Sequence, residues 1–214
     1  MLERIGNLCG VVAPLLWAMV IVFAAGLRPE YSHYAQYISE LGERGSSTEL
    51  LMRYGAFVPT GLMHMGFATF LYARFRGNPY AAMAAGLVAL NGLARIGAGM
   101  FPCEVGCAGP RVLLSQKLHT LSAAVGFFAI IAATVVWGRI FRTLEALRGL
   151  HRYCIASGAL GLVFLMLMSW SGESRAGTGM YERLSSGVLS LWVFVVALRS
   201  WQLGPANAVS GAST

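Results

Sequence analysis

The sequence predicts an all-α integral membrane protein, a bundle of six transmembrane helices with a short amphipathic interfacial helix after the first. Three observations predict it. Of 214 residues, 57% are hydrophobic and only 12% charged, where a soluble domain carries about 25% charged residues. Mean hydropathy is +0.63. The charges are also segregated to the ends of apolar runs, each close to the roughly 20 residues that cross a hydrocarbon core.

The first run, residues 5–27, lies between Arg4 and Arg28. It outlasts the apolar stretch of a signal peptide, about 7–15 residues, and is expected to be retained as a helix. Within it Gly6 and Gly10 form a GxxxG pair, a mark of close helix packing in membranes. The following stretch, RPEYSHYAQYISELGERG, sets Tyr31, Tyr34, Ile38 and Leu41 at helical spacing. Tyrosine favours the lipid–water boundary, so this stretch is expected to lie on the membrane surface as an amphipathic helix. Ser46 and Glu49 have the spacing of a capping box, which starts the second helix near Ser47 and leads into the apolar run 54–73. The third run, 80–100, carries a single charge, Arg95. Pro102 ends it, because the residue before a proline is pushed out of helical geometry. Runs 118–138, 153–171 and 184–200 complete six crossings in one domain, residues 1–203. Residues 204–214 are expected to form a flexible cytoplasmic tail.

Orientation follows from the loops. Arg74, Arg76, Arg139, Arg142, Arg148 and Arg152 crowd two short connections on one side. Basic density near helix ends faces the cytoplasm, which places both termini there and the chain in the inner membrane. Glu30, Glu40, Glu43, Glu49, Glu104, Glu173 and Glu182 then fall on the outer side. The pI of about 9.6 describes a basic face beside anionic lipid. No basic stripe with interleaved aromatics marks a nucleic-acid partner. Membrane lipids are the expected partners, with a homo-oligomer or another membrane protein left open.

Polar residues collect at the outer edge. Arg95 sits four residues after Asn91 on a helix face with Gly92 and Gly99, and an ionisable group inside a membrane segment calls for a function and a partner. The competing reading is that its long stem carries the charge to the interface. The fourth run shows a second face, with Arg111, Ser115, His119, Ser122 and Gly126. With Glu40, Glu104, Glu182 and Arg183 these form either a structural ion-pair cluster or a site for a polar head-group. If Arg95 pairs with Glu40, Glu104 or Glu182, removing it is expected to cost about 3–5 kcal/mol, while His119→Ala leaves the fold intact. Cys103 and Cys107 flank Glu104 in an oxidising compartment and are expected to form a disulfide, with Cys9 and Cys154 free. No metal and no cofactor is expected. The cysteines lack paired zinc spacing, His64 and His119 are expected at different depths for a haem, and no phosphate-binding loop is present.

YISELG at 37–42, RIGAGMFPCEVG at 95–106, His119 and YERLSSGVLSLWVFVVAL at 181–198 resemble a family of small six-helix bacterial and archaeal membrane proteins. It is catalogued as domain of unknown function nine-nine-eight, and the likeness covers about residues 8–203. Its Ser-Asp-Leu-Gly run is matched by Ser39, Glu40, Leu41 and Gly42, with Glu in place of Asp. Its Phe-Pro-x-acid run is matched by Phe101, Pro102 and Glu104, its helical histidine by His119, and its Glu-Arg pair by Glu182 and Arg183. The cysteines flanking Glu104 depart from that pattern. The family is distantly similar to the Frag/DRAM/Sfk type, which suggests lipid handling. The resemblance implies no established activity; the polar outer edge itself offers His119 and Glu104 as candidate catalytic groups and Ser39, Glu40, Arg95, Glu182 and Arg183 as candidate ligand-binding groups. Three functions remain open: a lipid binder or lipid-modifying enzyme, a proton-coupled transporter, and a non-catalytic subunit with a structural ion-pair cluster.

Overall fold

The computed structural model describes residues 2–107 and 113–203. It is built from helices, in order α1 (Leu2–Gly26), the single turn α2 (Glu49–Met52), α3 (Val58–Phe75), α4 (Ala81–Met100), α5 (Leu114–Thr143), α6 (Leu150–Ser171) and α7 (Thr178–Gln202). A π-turn, Arg53–Phe57, joins α2 to α3. No strand occurs among the described residues. The tail expected at 204–214, and Arg111, lie outside them.

Five helices, α1, α4, α5, α6 and α7, are long and apolar enough to cross a membrane. α3 has only 18 residues, and Thr60, His64, Thr69 and Arg74 dilute its apolar run. The second of the six expected crossings therefore does not qualify on composition. α3 nonetheless takes its place between α1 and α4. Each long helix packs on the next in chain order and α7 returns to α1, so the six close into a ring.

Small residues make the ring tight. A Cβ on Gly6 stands 2.7 Å from the Phe70 Cβ, and one on Gly10 stands 2.5 Å from the Phe67 ring. The GxxxG pair is thus where α1 meets α3, as close backbone approach in a membrane requires. Gly61 and Gly92 do the same for α3 and α4, each Cβ falling 2.6 Å from the other's carbonyl oxygen. Gly92→Ala is expected to lower stability by about 1–3 kcal/mol, the cost of overpacking, read as a fall in thermal midpoint in detergent. Gly86→Ala, whose Cβ meets nothing within 4 Å, is the control. Equal midpoints for the two would show that the crossing tolerates separation.

One half of the ring is filled. Phe75, Trp137 and Phe141 pack with ring centroids 5.3–5.7 Å apart, and fully buried Trp192 lies in the same core. The other half ends in a cap of three connections.

The cap corrects one expectation. In place of an amphipathic helix over Tyr31–Leu41, the chain makes turns and a single 3-10 helix, Ile38–Gly42. Tyr31, Ile38 and Leu41 are buried, and only Tyr34 is exposed. The helical spacing serves insertion into the mouth of the ring, with the backbone held from outside the segment. Arg183 Nη1 donates to the carbonyls of His33 and Gln36, both at 3.0 Å, and Arg28 Nη1 to that of Glu40 at 2.7 Å. The Ile38 N–H donates to Glu182 Oε2 at 2.5 Å. These bonds replace those a helix would supply. The capping box is also displaced: Glu49 Oε2 accepts from the Gly45 N–H at 2.7 Å, while Ser46 Oγ donates to the Leu41 carbonyl at 3.2 Å.

Candidate functional site

Under the cap, the ring holds a small cavity of about 80 Å³, room for a polar group of a few atoms, where a pocket for a whole small molecule runs to about 300–1,000 Å³. Asn91, Ala94, Arg95 and Ala98 of α4 line it, together with residues of α1, α3, α5 and α7, and the end of α4 is held in place from outside. The last carbonyls of a helix have no partner within it, and here neighbours supply all of them. Arg53 Nε donates to the Gly99 carbonyl at 2.7 Å and its Nη2 to that of Met100 at 3.2 Å. His119 Nδ1 reaches the carbonyls of Ala98 at 3.0 Å and Phe101 at 2.8 Å. Carbonyls only accept, so Nδ1 carries the proton and Nε2 is left with its lone pair at the cavity wall.

A second histidine repeats this arrangement. His64, buried in α3, donates from Nδ1 to the Thr60 carbonyl at 2.7 Å and lines the same cavity. The two histidines, expected at different depths, thus face one space. His64 went unrecognised as a site residue because a lone histidine in an apolar run carries no depth information.

Arg95 reaches into this cavity without the carboxylate expected for it. Its guanidinium lies 4.4 Å from the centroid of the Trp17 ring, and Nη1 is 3.5 Å from Thr60 Oγ1. Its Nε is buried without a partner, as is Asn91 Oδ1 nearby. Among the described residues no ion pair includes Arg95. Glu182 also lines the cavity, and Ile38 N–H is its only protein donor among the described residues. Trp17 Nε1 donates to Ser186 Oγ at 3.0 Å, fixing the aromatic wall.

The remaining candidates divide. Ser39 lines the cavity. Glu40 is buried and committed: it accepts from Tyr37 N–H and Gln36 Nε2, both at 2.9 Å, and pairs with Arg175 at 2.5 Å. Arg183 clamps the cap, reaching His33, Gln36, Gly179 and the Tyr31 hydroxyl. Burial pushes that tyrosine up to about 12, so it remains a neutral hydroxyl. Glu104 pairs with exposed Arg44 at 3.1 Å and does not line the cavity. Of the candidates, Ser39, Arg95, His119 and Glu182 meet there, while Glu40, Glu104 and Arg183 do not.

Cys103 and Cys107 form the expected disulfide, with Cα atoms 4.9 Å apart. The loop it closes is tied into the cap, Gly106 donating its N–H to Glu43 at 2.5 Å and accepting from Arg175. Among the described residues, no three His, Cys, Asp or Glu side chains are grouped to hold a metal ion.

Two apolar grooves open beside the cavity. One, between α5 and α6, is lined by Phe128, Leu162, Leu165 and Met166 and shares Ser39, His119 and Glu182 with the cavity. The other, between α1 and α7, shares Trp17, Ile38 and Ser186 with it.

The sequence profile of the protein family of unknown function DUF998 matches residues 11–199. The chain belongs to that family. No curated protein and no solved structure matches it. Within this DUF998 chain the matched span runs from Val11 in α1 to Arg199 near the end of α7 and takes in the cap and the cavity.

Proposed function

We propose that the protein crosses the inner membrane six times, with α3 as the sixth span and both termini cytoplasmic, and that it binds a lipid or other amphiphile with an anionic head-group. One observation carries the reading. Arg95 is a guanidinium inside the ring with no carboxylate within 4 Å among the described residues, beside grooves of apolar side chains. An uncompensated buried charge is costly, and an anionic head-group would compensate it by a charge-assisted hydrogen bond. The acyl chain would lie in the groove between α5 and α6, leaving through the wall that holds His119 and Glu182. His64 and His119 offer Nε2 lone pairs to accept hydrogen bonds or a proton from the head-group. The aromatic fill around Trp137 and Trp192 closes the far half of the ring, which favours binding over passage from side to side.

Native mass spectrometry of gently solubilised protein tests this. The wild type is expected to retain an acidic amphiphile that Arg95→Gln loses. An empty wild type after incubation with a total lipid extract would refute the reading, as would the same mass retained by Arg95→Gln. For orientation, a reporter fused at Thr214 is expected to be active in the cytoplasm, and activity only in the periplasm would reverse the assignment.

A further inference from the structure

The end of the ring away from the cap holds a second polar pocket, of about 350 Å³. Three buried polar side chains from three helices line it: Asn7 of α1, Arg74 of α3 and Ser200 of α7, exposed to 1%, 7% and 3%. Among the described residues, both amide atoms of Asn7, Arg74 Nη1 and Ser200 Oγ have no hydrogen-bond partner. Arg74 meets only the Leu203 carbonyl, at 3.4 Å, and among the described residues it takes part in no ion pair. Nearly all buried polar groups find partners, and a buried cation without a counter-charge is costlier still. So many groups left unmet by the described residues at one place mark a site with room for a further occupant.

The donors define that occupant. Residues bearing a guanidinium, an amide and a hydroxyl line a space whose rim holds Arg4, Glu3 and the half-exposed indole of Trp201. Two cations against one carboxylate favour an anion, and three donors from separate directions suit a group with several oxygens. Trp at the rim suits the head-group level of a bilayer. We propose that this pocket binds a phosphate group, carried by a lipid of the leaflet at this end of the ring or by a free anion. The inference is independent of the central cavity.

Thermal unfolding in dodecylmaltoside micelles tests it, with added phosphatidylglycerol, phosphatidylcholine or inorganic phosphate. Phosphatidylglycerol is expected to raise the midpoint of the wild type more than phosphatidylcholine does. Arg74→Gln is expected to abolish the difference, and Ser200→Ala to weaken the apparent affinity by about tenfold, the loss of one charge-assisted bond. Arg76→Gln, exposed on the same face outside the pocket, keeps the full response, which separates the pocket from general attraction to a basic surface. Arg95→Gln also keeps it, which separates this site from the cavity. If inorganic phosphate alone reproduces the rise, the phosphate site stands and its source is soluble. If Arg74→Gln does not fold, Ser200→Ala against Arg76→Gln decides. An unchanged phosphatidylglycerol response in Ser200→Ala, or an equal loss in Arg76→Gln, overturns the proposal.

Discussion

Arg95→Met raises the thermal stability of the delipidated protein while abolishing ligand retention. Holding a guanidinium inside the ring costs several kcal/mol of hydration. The protein returns little of it. The Trp17 ring at 4.4 Å contributes about 2 kcal/mol when desolvated, Thr60 is at the limit of hydrogen-bond distance, and Nε has no partner. Methionine keeps much of the stem volume and removes the charge, a kind of exchange that often stabilises by about 1–4 kcal/mol. This inverts the expectation for stability drawn from sequence, where Arg95 anchors the fold and His119 is needed for function and not for folding. His119→Ala leaves the carbonyls of Ala98 and Phe101 without their donor, at a cost of about 1–3 kcal/mol. Unfolding of delipidated variants checks both. A lower midpoint for Arg95→Met would mean that a counter-charge accompanies it inside the protein.

Glu40→Ala has the opposite character and is expected to be among the most damaging single changes in the cap. It removes the acceptor of Tyr37 N–H and Gln36 Nε2 together with the partner of Arg175. Breaking a buried pair on one side costs about 3–5 kcal/mol. Arg175 is 30% exposed, which favours the lower end of that range. Glu182→Gln is the comparison: its amide oxygen still accepts from Ile38 N–H, and no cation loses a partner. The midpoint is expected to fall steeply for Glu40→Ala and little for Glu182→Gln. The reverse ranking would assign the cap to Glu182.

These two carboxylates also show where the sequence stops being informative. Apolar runs and their charged ends locate the long helices, and Pro102 locates the end of α4, because these depend on local properties. The small face of Asn91, Gly92 and Arg95 is legible for the same reason. Adjacent Glu182 and Arg183 look like one site, yet neighbours in a helix do not share a face. Glu182 turns into the cavity and Arg183 toward the cap. Arg175 as the partner of Glu40, and Trp17 as the partner of Arg95, depend on how loops fold back and on α7 closing against α1. Neither is a local property. Tyr31, Ile38 and Leu41 have the spacing of a surface helix, and only the mouth of the ring explains why they are buried.

The cap has a consequence for how the protein is made. Its first part, residues 28–48, is synthesised early, but the groups that hold it down come late: Arg175 follows α6, and Glu182 and Arg183 belong to α7. The same last helix completes the ring against α1. A nascent chain therefore carries an unsecured N-terminal loop and an open seam through most of its synthesis. The seam closes and the last of these bonds form only when α7 inserts, so a chain interrupted before Thr178 leaves the carbonyls of His33 and Gln36 and the N–H of Ile38 without the α7 partners the finished protein gives them.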